Sequence, residues 1–183
     1  DNFFKKKKPN IVINAAGKVG GILDNKTYQS DYIYINSMIG LNIINSSLKY
    51  KVKKLINLGS ACIYPKKTKQ PIKESALLSS QLEETNEGYA LAKILSLKYS
   101  QHLKKKYNKE FISLRPANLY GRGDNFDLKS SHVLPALVKK FTLAKINNIP
   151  KVEVWGSGKV KREFLNVEDL SLAIYFLIKK KIK

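Results

Sequence analysis

Short apolar runs alternate along this chain with longer stretches in which apolar residues recur at helical spacing. Asn10 to Ala16, NIVINAA, reads as a short buried strand, followed by the glycine-containing loop GKVGG. Asp31 to Tyr50 carries apolar residues on nearly every face, which predicts a helix held between a sheet and another layer. Leu55 to Leu58, LINL, predicts a second buried strand that Gly59 ends. Asn86 to Lys106 predicts a helix with Leu91, Ile94 and Leu95 along one stripe. Phe111 to Leu114 predicts a third strand, closed by Pro116. Ser131 to Lys145 predicts a helix whose start lies near Pro135, since proline is best tolerated in a first turn. Val152 to Trp155 predicts a short strand. Val167 to Lys179 predicts a final amphipathic helix, with Asp169 near its positive end.

Strands alternating with helices imply an α/β fold with a parallel sheet covered by helices on both faces. Ligands of such sheets sit beyond the carboxyl ends of the strands. Three loops lie there: after Ala16, after Leu58 and after Leu114. Lys66 to Glu87 is a long polar connection, of a length more common in functional loops than in tight links.

Composition narrows the classes. At 43% hydrophobic residues the chain is globular rather than disordered. A single cysteine makes no internal disulfide, so a reducing, cytoplasmic setting is expected. No apolar run reaches about 18 residues, so no membrane-spanning helix is expected. The basic start, DNFFKKKKPN, has no apolar stretch after it and does not read as a signal peptide. A net charge of +20 invites a nucleic-acid reading. However, 31 of the 34 basic residues are lysines, scattered mostly at element ends. Base-edge readers lean on the bidentate fork of arginine, so no nucleic-acid partner is expected. The three arginines, Arg115, Arg122 and Arg162, are candidates for positions that need a planar guanidinium. No metal site is expected.

The chemistry concentrates in two stretches. Tyr89 and Lys93, in YALAK, stand four apart on one predicted helix and leave the same face. An ammonium beside a phenol favours the phenolate, so Lys93 is expected to lower the tyrosine pKa. A short Y-x-x-x-K motif is common on helix surfaces. Here, however, a buried strand ends 29 residues upstream in Gly59-Ser60, whose hydroxyl could face the phenol. Cys62 follows in SACIYP; by residue type alone it is a small hydrophobe after a strand. His132 could equally be a helix-entry residue, and Trp155 a core residue at a strand end.

The stretches AAGKVGGI, LGSACIYPK, TNEGYALAK, RPANLYGRGDNF, SHVLPAL and VWGSGKVKREFLNVEDL together resemble the extended short-chain dehydrogenase/reductases. The resemblance is to their nucleotide-sugar branch, which inverts C3 and C5 of GDP-4-keto-6-deoxy-D-mannose and reduces C4 with NADPH to give GDP-L-fucose. It implies a Rossmann-like doubly wound sheet, with 1–118 in the cofactor domain, 119–162 in a smaller substrate domain and 163–183 returning to the first. It implies Ser60, Cys62, Tyr89, Lys93 and His132 as catalytic, with Cys62 and His132 exchanging protons beside the ketone. Tyr89 would protonate the ketone oxygen, Ser60 would hold it, and Lys93 would also bind the nicotinamide ribose. Leu58, Gly59, Ser60, Ala61, Lys93, Pro116, Ala117, Asn118, Leu119 and His132 would line the NADP(H) site. Lys140, Trp155 and Arg162 would hold the GDP-sugar. The branch pairs through helices, which implies a homodimer through Asp31 to Tyr50 and Asn86 to Lys106.

The chain departs from the branch in places. Ala61 stands where a second serine is usual, Gly17 replaces an alanine, and Gly88 replaces a residue that is often proline, which is expected to loosen that helix start. No glycine-rich dinucleotide turn precedes Asn10. The resemblance therefore implies an internal fragment with roughly three strands outside it, expected to bind NADP poorly by itself. Two rival readings are a 4-epimerase or 4,6-dehydratase of the same superfamily, which does not need the Cys62–His132 pair, and a non-catalytic relative of the fold.

Overall fold

The computed structural model describes residues 1–128 and 130–180. Three parallel strands form the central sheet in the order β1–β2–β3: β1 is Ile11–Asn14, β2 Lys54–Leu58 and β3 Glu110–Leu114. Helix α3 (Gln29–Lys49) connects the first pair, and α4 (Glu87–Tyr107) the second. In register, Val12, Leu55 and Phe111 form one row across the sheet. Side chains two apart on a strand share a face. This row meets Ile44 of α3 and Leu103 of α4, and Leu55 and Ile44 are fully buried. The next row on that face is polar: Asn14 donates to Asn57 Oδ1 at 2.7 Å, beside Ser113.

α3 and α4 pack tightly against each other. A Cβ added to Gly40 would lie 2.0 Å from Ser96 Oγ, so only glycine permits this approach. α4 ends at Asn108 in the left-handed conformation, with Lys104, Lys105 and Lys106 in its last turn where the dipole favours cations. On the opposite face of the sheet, Lys54 reaches the last carbonyls of α6 (Val167–Lys179). Its ammonium donates to Leu177, Ile178 and Lys180 at 2.5–3.1 Å and pairs with Glu110 at 3.3 Å.

A second, two-stranded parallel sheet pairs β4 (Asn118–Tyr120) with β5 (Phe164–Asn166). Between them runs α5 (Val133–Ile146), with Pro135 in its first turn as its missing N–H allows. Two short helices, α1 (Asn2–Lys7) and α2 (Ile22–Thr27), have no counterpart in the sequence-based expectation. Neither do β4 and β5, whose three residues each are too short for a periodic signal.

Three expectations need correction. Val152 to Trp155 is not a strand: it has no ladder partner, and Lys140 takes the Glu153 carbonyl at 3.2 Å. The stripe Leu91–Ile94–Leu95 is split: Ile94 is buried, while Leu91 and Leu95 are exposed. The buried residues of α4 include Gly88, Ala90, Ala92, Ser96 and Ser100 besides Ile94, Leu97 and Leu103, because close packing against α3 favours small residues. Nor is α3 covered all round, since Tyr34 and Met38 face outward.

Candidate active site

Strand β2 ends at Leu58, and the chain turns through Gly59 and Ser60 into a single 3₁₀ turn, Ala61–Ile63. Ser60 Oγ caps that turn by accepting the Cys62 N–H at 3.3 Å. The Gly59 N–H donates to Leu114 O at 2.7 Å, which ties the carboxyl ends of β2 and β3 together. Tyr89 and Lys93 stand one turn apart in the first part of α4, directed at this end of the sheet. Lys93 Nζ donates to Leu58 O at 3.0 Å and lies 5.5 Å from the Tyr89 ring centroid. The Ser60 hydroxyl lies beside the Tyr89 phenol and the Cys62 thiol and favours the ionised form of each. Four of the five expected catalytic residues therefore meet at one strand end, although they come from two segments 29 residues apart.

The electrostatics differ from expectation. Burial pushes the Tyr89 phenol above its ordinary value, and the nearby Cys62 adds to this, while the Ser60 hydroxyl pulls the other way. Lys93 does not lower it. The lysine is itself desolvated, which lowers its own pKa, and its ammonium is directed to the Leu58 carbonyl. Burial also pushes the half-buried Cys62 thiol up, against the Ser60 hydroxyl and the Lys93 charge. The site at rest holds a protonated phenol and a protonated thiol.

His132 comes from a third segment. It is the exposed N-cap of α5, on a loop fastened where Gly21 N–H donates to Ser130 O at 3.1 Å. Pro116 and Ala117 follow β3, and Leu119 lies in β4. Asn118 spends its carboxamide on Glu163 O at 3.0 Å, holding the small sheet. Lys140 and Trp155 do meet: the ammonium is 4.9 Å from the indole centroid. Trp155 is 79% exposed, so it is no core residue. A hollow of about 290 Å³ opens beside Lys140 and Glu153, walled by Leu143, Ala144 and Ile149. Arg162 is exposed, and its guanidinium donates to the Lys161 carbonyl at 3.1 Å.

Two contributors escaped the sequence. Tyr32, fully buried, presents its edge to the Tyr89 ring at 6.3 Å, and its hydroxyl is bonded to the Asp24 carboxylate. Asn36 binds both sides of the Lys18 peptide, at 2.9 and 3.1 Å, and so fixes the loop after β1. A buried asparagine within the apolar stretch of α3 was the one available signal. Gly88 does not loosen the start of α4: its N–H donates to Gln29 Oε1 at 2.7 Å, and a Cβ there would lie 2.5 Å from the Gln29 carbonyl.

Comparison with known proteins gives a consistent result. The sequence pattern of the NAD dependent epimerase/dehydratase family matches residues 1–183. The chain is 51% identical over 179 residues to a GDP-L-fucose synthase of Sinorhizobium fredii, covering 98% of this chain and 57% of that protein. It is 49% identical over 172 residues to the GDP-L-fucose synthase of Escherichia coli, covering 94% and 54%. The chain thus spans about half the length of the curated relatives it matches. Among solved structures, a GDP-L-fucose synthetase from Naegleria fowleri bound to NADP superposes with a TM-score of 0.84 at 32% identity, covering 96% of this chain and 57% of that one.

Proposed function

The chain belongs to the NAD dependent epimerase/dehydratase family, and from that membership we propose that it carries the catalytic part of a GDP-sugar 3,5-epimerase/4-reductase. The substrate is GDP-4-keto-6-deoxy-D-mannose and the product GDP-L-fucose. The observation that carries the reading is the convergence of Ser60, Cys62, Tyr89 and Lys93 at the end of β2. A dehydrogenase needs the phenol and lysine. A thiol in the same cluster adds an acid/base group suited to inverting a carbon beside a ketone.

The phenol and hydroxyl address the ketone oxygen. Its raised pKa keeps Tyr89 protonated, as a group that donates to an oxygen gaining negative charge should be. Ser60, beside that phenol, holds the same oxygen. Cys62, after β2, and His132, before α5, come from separate elements and divide the removal and return of the proton at C3 and C5. Lys140 and Trp155 receive the GDP moiety, by charge and by a flat face, and Arg162 the diphosphate.

The residues fit a dinucleotide. The loops after β2 and β3 are bound side by side, and the half-buried Lys93 ammonium stands at the end of β2 with one backbone acceptor. NADP(H) would be held by Leu58 to Ala61, Lys93, Pro116 to Leu119 and His132. When bound it supplies the hydride for C4. In this reading 1–118 and 163–183 belong to the cofactor domain and 119–162 to the substrate domain, in a cytoplasmic homodimer.

The test separates the two half-reactions. In a chain extended to the full length of its relatives, Tyr89→Phe should slow NADPH oxidation by about a hundredfold or more, with circular dichroism unchanged. Cys62→Ser should spare C4 reduction but slow solvent deuterium uptake at C3. Undiminished turnover in Tyr89→Phe, or equal loss of both steps in Cys62→Ser, would overturn the assignment.

A further inference from the structure

Away from the Tyr89 site, the opposite end of the central sheet gathers charge. β1, β2 and β3 begin level with one another, with Ile11, Lys54 and Glu110 in one row. The parallel sense of the strands brings the carboxyl ends of α3 and α4 to this edge, where each leads into the next strand. The end of α6 joins them, because Lys54 Nζ binds its last carbonyls. α1 is fastened at the same edge: Phe4 stacks on Tyr50 at 6.2 Å, and Asp1 accepts from Ser46 at 2.9 Å and from Lys49 at 2.6 Å. Lysines that look scattered along the sequence therefore converge. α1 and its end bring Lys5 to Lys8, positions 49 to 53 bring three more, the last turn of α4 brings Lys104 to Lys106, and α6 brings Lys179 and Lys180. All of these but Lys104 are exposed.

Among the described residues, the acids at this edge are Asp1 and Glu110, and each already holds a lysine. Other acids begin helices at the far end: Asp24 in α2, Asp31 in α3, Glu87 in α4, and Glu168 with Asp169 in α6. The helix dipole accounts for a cation in a last turn, where about half a negative charge sits. It does not account for runs of three and four, nor for Lys51 and Lys53, which stand beyond a helix end. Neighbouring strands lie about 5 Å apart, so the three strand starts span roughly one Debye length at physiological salt. The lysines thus act together on one polyanionic target. Three features favour lipid headgroups over nucleic acid. Every exposed cation at this edge is a lysine, a point charge rather than a forked reader. Tyr50, Tyr107, Tyr175 and Phe176 each carry a lysine ammonium 4.3–5.3 Å from the ring centroid, instead of lying bare for bases to stack on. Phe3 is 63% exposed beside the lysines of α1, while Phe4 turns inward to Tyr50. An exposed apolar ring among lysines suits the boundary between headgroups and acyl chains.

We propose that this edge of the sheet, with the helix ends that converge on it, is a docking surface for an anionic lipid bilayer. The lysines meet the headgroups and Phe3 enters the boundary beneath them. The surface does not rest on the proposed reaction, since none of its residues belongs to the Tyr89 cluster. That cluster lies at the carboxyl ends of the strands and stays open to solvent in this orientation.

Co-sedimentation of the whole chain with phosphatidylcholine vesicles, alone or with about 30% phosphatidylserine, tests this. Binding is expected to the anionic vesicles only, and it should fall steeply as potassium chloride is raised. The pair Lys6→Gln with Lys7→Gln, and the pair Lys105→Gln with Lys106→Gln, should each weaken binding about tenfold or more. The two pairs lie on different helices, so a folding defect in one leaves the other as the test. Lys67→Gln with Lys69→Gln removes the same charge from the connection after β2 and should leave binding unchanged. Phe3→Ser should weaken binding while keeping its salt dependence. Absence of binding to anionic vesicles would overturn the proposal. So would equal weakening by the Lys67 and Lys69 pair, which would make net charge the cause. Binding that Phe3→Ser leaves unchanged, or tighter binding to a single-stranded oligonucleotide at the same salt, would overturn the choice of a lipid partner.

Discussion

At the residue scale, the site depends on what burial does to three titratable groups. Cys62 and Tyr89 are pushed up and Lys93 is pushed down, all chiefly by desolvation. For the thiol and the phenol, the unfolded chain loses its proton first as pH rises, so stability falls with pH above about 9 for Cys62 and about 10 for Tyr89, the ordinary values for these groups. Lys93 acts in the opposite sense: its desolvation cost is full at low pH and is relieved as pH approaches the ordinary lysine value of 10.5. Cys62 is the single cysteine, so its alkylation reports one site without ambiguity. Iodoacetamide modification should show its inflection above pH 9; an inflection below that of free cysteine would mean that Lys93, not burial, governs the thiol. The identities of these residues were legible in the sequence. The sign of the Lys93 effect was not, because spacing on a helix says which side chains are near and nothing about how much water is removed around them.

At the element scale, two contacts hold the layers that position the site. Gly40 allows α3 to approach α4 at Ser96. Gly40→Ala should cost about 1–3 kcal/mol, and a Ser96→Ala background should recover much of that by removing the clashing hydroxyl, as a double-mutant cycle in urea would show. Lys54 joins the sheet to α6 through three carbonyls and Glu110. Lys54→Met should lose about 3 kcal/mol and raise amide exchange in the last turn of α6. Unchanged stability would mean that the cost of burying the cation cancels its bonds. The long elements followed from periodicity: the helices Gln29–Lys49 and Glu87–Tyr107 lie within two residues of expectation. The misread ones are short. Val152 to Trp155 has strand composition but no neighbour, and Asn118–Tyr120 becomes a strand only because Phe164–Asn166 arrives beside it.

At the scale of the whole molecule, α3 and α4 leave apolar pairs in water at helical spacing: Tyr34 with Met38, and Leu91 with Leu95. The proposed homodimer would bury them. Leu95→Lys should convert a dimer to a monomer in sedimentation without unfolding it, and a monomeric wild-type chain would remove the dimer from the reading. Among the described residues no helix is long and apolar enough to cross a membrane. The sequence by itself determined the α/β class, the parallel strands at β1 to β3 and the spacing of Tyr89 and Lys93 on one helix, because local periodicity and side-chain type are written directly in the chain, whereas Cys62 was singled out by the family resemblance. Only the tertiary structure decided that Ser60 meets Tyr89, that Tyr32 and Asn36 support the site and that Trp155 is exposed. Those facts depend on which distant segments come into contact and on how much solvent each contact excludes, and both arise only when the elements pack.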